Sequence, residues 1–183
     1  MTGGMNLSLK NPLHCSATNP APMRATWNTK WKPGQKAPSF QSITHENQKI
    51  ASTDLKGKRY ILFFYNHDDS ETCTKEACEL RDHFDLLTRK GFTIIGVSED
   101  SVKKHQKFIA KYNFPFTLIS DDGNKLAKLF DIYGRKEFMG RISDAVHRTT
   151  FVISADGKFE AVIHPVDSGN HTKQILQSLQ IEI

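Results

Sequence analysis

The chain has 183 residues, a net charge of +5 and no apolar run long enough to cross a membrane. Its length fits one domain with a sizeable hydrophobic core. The first 45 residues hold five basic residues and no acidic one, whereas the remainder is formally neutral. Because no basic stripe with interleaved aromatic residues is found, the charge distribution argues against a nucleic-acid site.

Residues 1–31 are predicted to be a flexible extension, because they are rich in Asn, Thr, Ser and Pro and show no periodicity. A targeting peptide is the alternative, but the segment has a single Arg, no apolar stretch and no amphipathic helix. Cys15 within it is interpreted as a spare exposed thiol. One folded domain is therefore expected over residues 32–183.

The folded part alternates strands with helices. An edge strand or hairpin is predicted at 43–50, and a strand buried on both faces at 60–65, Tyr-Ile-Leu-Phe-Phe-Tyr. Further strands are predicted at 92–98, 116–120, 149–154 and 159–163. Helices are predicted from about Cys73 to a cap at Gly91, at 102–112, around Leu126 to Phe130, and at 170–179. This alternation predicts a three-layer α/β domain.

The chemistry is expected at the turn between the buried strand and the helix that follows it. Cys73 falls in or near the first helical turn, four residues before Ala77 on the core-facing stripe. The unpaired N–H groups and the positive dipole end of a helix N-terminus lower the pKa of a cysteine. Nearby acidic residues oppose this effect, so a reactive thiolate here needs a cation from elsewhere in the chain.

Cys73 and Cys78 are five residues apart. In a continuous helix this spacing means about 7.5 Å of rise and about 140° of rotation. A disulfide needs Cα atoms within about 7 Å and converging Cβ vectors. The two thiols can therefore coexist in a helix but can bond only if it unwinds. A zinc site that adds His67 is an alternative, but the sequence offers no fourth ligand or second paired motif.

The stretch at 66–78, Asn-His-Asp-Asp-Ser-Glu-Thr-Cys-Thr-Lys-Glu-Ala-Cys, resembles the active-site pattern of the peroxiredoxins. That pattern is Pro-x-x-x-Thr/Ser-x-x-Cys, commonly continued as Thr-x-Glu-Ala-Cys. The resemblance is to the bacterioferritin-comigratory or Q type, and it continues at residues 114–121 and 148–153. It implies a thioredoxin-like fold with a central mixed sheet flanked by helices.

The resemblance also implies a thiol peroxidase, in which Cys73 attacks the peroxide and Cys78 resolves the sulfenic acid as an intramolecular disulfide. Ser70 matches the hydroxyl that orients the peroxide. Arg148 matches the cation that favours the thiolate. Glu76 matches the residue that orients this arginine. A hydroperoxide is the implied substrate and a thioredoxin-type dithiol the implied reductant, with no metal or organic cofactor.

Asn66 and Glu71-Thr72 depart from the family's Pro and Pro-Gly, which is expected to loosen the turn and to alter the rate or substrate range. Two alternatives remain: a thiol–disulfide oxidoreductase of the same fold, which usually has C-x-x-C, and a non-catalytic thioredoxin-like binding domain. A resolving thiol in the same helix makes a dimer unnecessary, so a monomer is expected. The reducing power that the cycle needs indicates a cytoplasmic site, or an organelle if residues 1–31 are a transit peptide.

Overall fold

The structure of the chain, a computed structural model, describes residues 29–182. The strands are β1 Gln41–Thr44, β2 Lys49–Ala51, β3 Arg59–Phe64, β4 Phe92–Ser98, β5 Thr117–Ser120, β6 Tyr133–Phe138, β7 Arg141–Val146, β8 Thr149–Ile153 and β9 Phe159–Ile163. The helices are α1 Glu71–Asp82, α2 Phe84–Arg89, α3 Val102–Tyr112, α4 Lys125–Leu129 and α5 His171–Ser178.

A mixed sheet forms the centre of the fold, in the strand order β2-β1-β5-β4-β3-β8-β9. Strand β3 pairs in parallel with β4 and antiparallel with β8, and β4 pairs in parallel with β5. The two parallel pairs need crossovers, which α1 with α2 and then α3 provide. The expected mixed sheet flanked by helices is confirmed, and β3 lies near its middle.

Side chains of the central strand alternate between two hydrophobic clusters, as the period of a strand requires. Ile61 and Phe63 join a cluster with residues of α1, α2, α3 and α5. Leu62 and Phe64 join a second cluster on the other face, with residues of α4 and Phe40. Burying each such side chain contributes about 1.5–3 kcal/mol. The unbroken apolar run in the sequence is thus explained by burial on both faces.

Gly96 in β4 leaves room for two large neighbours to meet above the backbone. A Cβ at this position would lie 2.5 Å from Leu118 Cδ2 and 2.7 Å from Phe63 Cζ. The Phe63 ring in turn stacks on Tyr65, with ring centroids 5.6 Å apart. The position therefore requires glycine for space.

The prediction of a single helix from about Cys73 to Gly91 is wrong, because His83 separates α1 from α2. His83 has φ −108° and ψ 14°, outside the helical range. Its ring Nδ1 lies 2.9 Å from the carbonyl oxygen of Glu79. At this distance the side chain competes with the backbone N–H groups for that carbonyl. The apolar spacing continues across the break, so the sequence pattern does not reveal it. Gly91, with φ +86°, follows α2 as expected.

The hairpin of β6 and β7 was not expected from the sequence. Its register pairs Tyr133 with Val146, and its turn has positive φ at Met139 and Gly140. Two positive φ angles in a row suit a tight hairpin turn. Most described side chains of the hairpin are polar and at least partly exposed, so no apolar alternation marks the two strands.

The predicted extension, with Cys15, lies outside the described residues except for its last three. Lys30 N donates to Asp131 Oδ2 at 2.7 Å, and the Trp31 ring lies 5.4 Å from that of Phe159. The domain boundary at residue 32 stays a prediction. Among the described helices, none has the length and apolar character needed to cross a membrane.

Candidate active site

Cys73 is the third residue of α1, and its side chain is buried. At this position it lies beside the unpaired N–H groups of the first helical turn. Burial raises the pKa of the thiol, but the Ser70 hydroxyl, the backbone of His67 and the charge of Arg148 together outweigh burial. The pKa of Cys73 is therefore lower than that of an ordinary cysteine.

Arg148 supplies the cation that the acidic stretch around Cys73 lacks. It lies in the short connection between β7 and β8, and its Nη2 donates to Cys73 Sγ at 3.4 Å. Its Nε lies 3.1 Å from Glu76 Oε2. The planar guanidinium thus bridges the thiol and the carboxyl group, which a lysine could not do with the same geometry.

Glu76 is fully buried on α1, one helical turn after Cys73. Burial raises its pKa to about 8, although the Arg148 charge acts in the opposite direction. On its other side, Glu76 Oε1 lies 3.4 Å from His171 Nδ1 at the start of α5. The carboxyl group therefore connects the Cys73–Arg148 pair to the C-terminal helix.

Two aspartates hold the loop that leads into α1. Asp68 is buried, accepts a hydrogen bond from the Tyr65 hydroxyl at 2.6 Å, and lies 2.8 Å from His105 Nδ1. Asp69 has a left-handed backbone with φ 62° and binds Lys111 Nζ at 2.7 Å. The His105 ring is fully buried, and Asp68 is its side-chain contact in this loop.

Ser70 occupies the N-cap position of α1, but its side chain makes no capping hydrogen bond. Its hydroxyl donates instead to the His67 carbonyl oxygen at 3.0 Å. Ser70 is therefore the N-cap residue by position, although its hydroxyl does not bond to the first turn of the helix. A hydroxyl held by a local carbonyl can rotate toward a ligand at the thiol, because a hydroxyl both donates and accepts.

The residues that depart from the family pattern lie close to Cys73. The backbone of Asn66 helps to lower the Cys73 pKa, through an N–H group that proline would lack. The Asn66 Oδ1 atom is buried and has no hydrogen-bond partner among the described residues. Glu71 is exposed in the first turn of α1, where its charge faces the positive end of the helix.

Cys78 lies on the same helix as Cys73, partly buried against the core, and both are free thiols. Burial raises the pKa of Cys78, so it is a thiol at neutral pH. The next residue, Glu79, accepts hydrogen bonds from Thr172 N and Oγ1, both at 2.9 Å. This contact ties α1 to the first turn of α5.

Sequence reasoning missed two residues of the site: Lys136, which acts on the Cys73 thiolate, and His171, which contacts Glu76. Lys136 lies on β6 and donates to the Val146 carbonyl oxygen at 3.4 Å. Burial lowers its pKa, Arg148 lowers it further, and the Cys73 thiolate raises it. Neither residue is near residues 66–78 in sequence, and no local pattern marks them, so only the fold brings them together.

The candidate residues do not assemble a metal centre. Within residues 29–182, no group of three or more His, Cys, Asp or Glu side chains is arranged to hold a metal ion. His67 lies on the exposed side of the loop, 3.6 Å from Glu99 Oε1. The zinc alternative therefore has no support in the geometry.

Comparison with known proteins agrees with the fold. Residues 33–162 match the family model described as "AhpC/TSA family". The "Putative peroxiredoxin bcp" of Coxiella burnetii is 42% identical over 146 residues, which cover 80% of this chain and 97% of that protein. The chain therefore belongs to the AhpC/TSA family, and within it to the peroxiredoxins of the bacterioferritin-comigratory or Q type.

Solved structures of this type share the architecture. "Peroxidoxin BcpB" from Mycobacterium tuberculosis superposes with a TM-score of 0.72 at 29% identity, covering 82% of this chain and 97% of that one. The bacterioferritin comigratory protein of Xanthomonas campestris, described for its alkyl peroxide reduction activity, has a TM-score of 0.73 at 25% identity, with coverages of 84% and 98%. The protein is thus a thiol-dependent peroxidase.

Proposed function

We propose that Cys73 is the thiol that reacts with the peroxide. The observation that carries this proposal is the 3.4 Å contact between Arg148 Nη2 and Cys73 Sγ at the N-terminus of α1. A guanidinium at this distance favours the thiolate, which is the reactive form of cysteine. The contact also leaves Arg148 beside the point where a peroxide oxygen would approach the sulfur.

The proposed reaction is a displacement at the terminal peroxide oxygen. The Cys73 thiolate forms an S–O bond, the O–O bond breaks, and the electron pair leaves on the second oxygen, which then takes up a proton. Sulfur is oxidised to sulfenic acid and the peroxide is reduced to an alcohol or to water. Arg148 and the Ser70 hydroxyl are the donors that would stabilise the negative charge as it moves from sulfur to oxygen.

We assign Cys78 the role of resolving thiol. It would displace water from the Cys73 sulfenic acid and form a disulfide, which an external thioredoxin-type dithiol would reduce by exchange. Helical geometry keeps the two thiols apart, so the first turns of α1 must unwind in this step. The break at His83 supports the idea, because the helix to be opened is only 12 residues long.

Hydrogen peroxide and organic hydroperoxides are the proposed substrates. The described activity of the Xanthomonas campestris relative supports the organic class. Because both cysteines lie in one chain and one helix, we propose a monomer as the working unit, with residues 32–183 as the catalytic domain. A reducing compartment such as the cytoplasm would suit the cycle.

The test is to reduce the protein, add one equivalent of hydrogen peroxide and map the thiols by peptide mass spectrometry. We expect a rapid Cys73–Cys78 disulfide that is absent in Cys73→Ser. Cys78→Ser should stop at sulfenic or sulfinic acid on Cys73. A Cys73 that remains a thiol under these conditions would refute the assignment and favour a non-catalytic binding domain. A preference for disulfide substrates over peroxide would instead favour an oxidoreductase.

A further inference from the structure

A chain of buried polar side chains runs from Cys73 into α5, beyond the residues assigned above. Arg148 contacts both Cys73 and Glu76, and Glu76 Oε1 lies 3.4 Å from His171 Nδ1. His171 Nε2 lies 2.9 Å from Thr150 Oγ1 on β8. The side chains of Glu76 and His171 are 0% exposed, so bulk solvent does not reach them.

Four atoms in this chain lack a well-directed hydrogen bond among the described residues: Glu76 Oε1 and Oε2, Arg148 Nε and His171 Nδ1. Buried polar atoms without partners are costly, and active-site hydrogen bonds are often long before substrate binds. Each of the four atoms has another of them as its neighbour at 3.1 or 3.4 Å. Small movements of these side chains would therefore bring the four atoms into hydrogen bonds with one another.

The charged neighbours of these four atoms come from several elements, and Lys136 on β6 is the positive group that acts on Arg148. Glu76 faces Arg148 from the β7–β8 connection and His171 from α5, with Cys73 and Glu79 on its own helix. Asp167, before α5, is the acidic group that acts on His171. Burial lowers the pKa of His171 to about 3, and the Arg148 charge lowers it too. The imidazole is therefore neutral, with one N–H and one lone pair.

A neutral imidazole between Thr150 and Glu76 has two complementary arrangements. In one, the Thr150 hydroxyl donates to Nε2 and Nδ1–H donates to an ionised Glu76. In the other, Nε2–H donates to Thr150 and Nδ1 accepts the proton of a neutral Glu76. Both arrangements use the same heavy atoms, so Glu76 keeps its partner whichever charge it carries.

We propose that His171 is a positioning residue for the peroxidase reaction: by changing tautomer it allows Glu76 to change charge, and so sets how much of the Arg148 charge acts on Cys73. With Glu76 neutral, Arg148 is left to attract the thiolate. With Glu76 ionised, the guanidinium is shared and a second negative charge lies near the sulfur. The inference rests on the proposed roles of Cys73 and Arg148.

A pH profile of the reaction tests this relay. The second-order rate constant for Cys73 oxidation by hydrogen peroxide should rise with pH as the thiol ionises, and should fall again near pH 8 as Glu76 ionises. His171→Phe keeps the ring but removes both nitrogens. Removing the donor costs the ionised form of Glu76 more stabilisation than the neutral form. The pKa of Glu76 should therefore rise, and the alkaline fall in rate should move up by about one pH unit.

Two further variants keep the test decisive if His171→Phe folds poorly. His171→Asn offers a side-chain amide that can turn either its N–H or its oxygen to Glu76, so the fall should return close to its original pH. Glu76→Gln should abolish the fall. An identical alkaline fall in His171→Phe, or its persistence in Glu76→Gln, would overturn the inference. Failure of Cys73 to react at any pH would instead overturn the proposed function.

Discussion

Replacing Arg148 with methionine should slow the reaction of Cys73 with hydrogen peroxide at neutral pH by about 10- to 100-fold. A hydrogen bond to a charged partner contributes about 1.5–3 kcal/mol, and each 1.4 kcal/mol corresponds to about tenfold in rate. The side chain of Arg148 is only 20% exposed, so solvent screens the interaction weakly. Methionine preserves the unbranched apolar stem and removes the guanidinium.

The assay is rapid mixing followed by alkylation and mass spectrometry, which measures Cys73 oxidation directly. The defect should shrink at high pH, where the thiol ionises without help, and the remaining loss would measure how far Arg148 polarises the peroxide. Arg148→Lys should recover only part of the rate, because a single ammonium cannot bridge the sulfur and Glu76. Arg141→Met, on the exposed start of β7, is the matched control. An Arg148→Met rate within threefold of the unchanged protein would refute the reasoning.

Two more changes probe the surroundings of the site. Lys136→Met should lower the Cys73 oxidation rate by about threefold or more, because it removes a second positive charge that acts on the thiolate; an unchanged rate across pH would contradict this. Glu79→Ala should destabilise the reduced protein by about 1–2 kcal/mol in urea unfolding, since the first turn of α5 loses its acceptor. It should also speed disulfide formation, because α1 is released from α5. Asp85→Ala, exposed on α2, should do neither.

The sequence was sufficient for the parts of the fold with local and repetitive signals. The apolar run at 60–65 predicted the central strand because both faces of β3 are buried. The helix spacing after Cys73 predicted α1, and the apolar stretches at 149–154 and 159–163 predicted the strands that pair as β8 and β9. In each case a single physical cause, burial or backbone conformation, acts on neighbouring residues.

The parts that the sequence did not predict carry no local apolar signal. The β6–β7 hairpin carries few buried side chains, so its strands have no apolar alternation. His83 interrupts the helix through its own side chain while the apolar spacing continues. Lys136 and His171 reach the site only because β6 and α5 pack against the connection that bears Arg148 and the helix that bears Cys73. The motif residues themselves were found through family resemblance, and their chemical roles stay predictions.

The missing side chain at Gly96 has a consequence beyond packing. A Cβ at this position would force Leu118 and the Phe63 ring to shift, and Phe63 stacks against Tyr65. The Tyr65 hydroxyl is bound to Asp68, in the loop that precedes Cys73. The position of the Phe63 ring is thus coupled to the loop before Cys73, through the Phe63–Tyr65 stacking and the Tyr65–Asp68 hydrogen bond. The space left by Gly96 therefore bears on both the packing of the core and, through Phe63 and Tyr65, the loop that precedes Cys73.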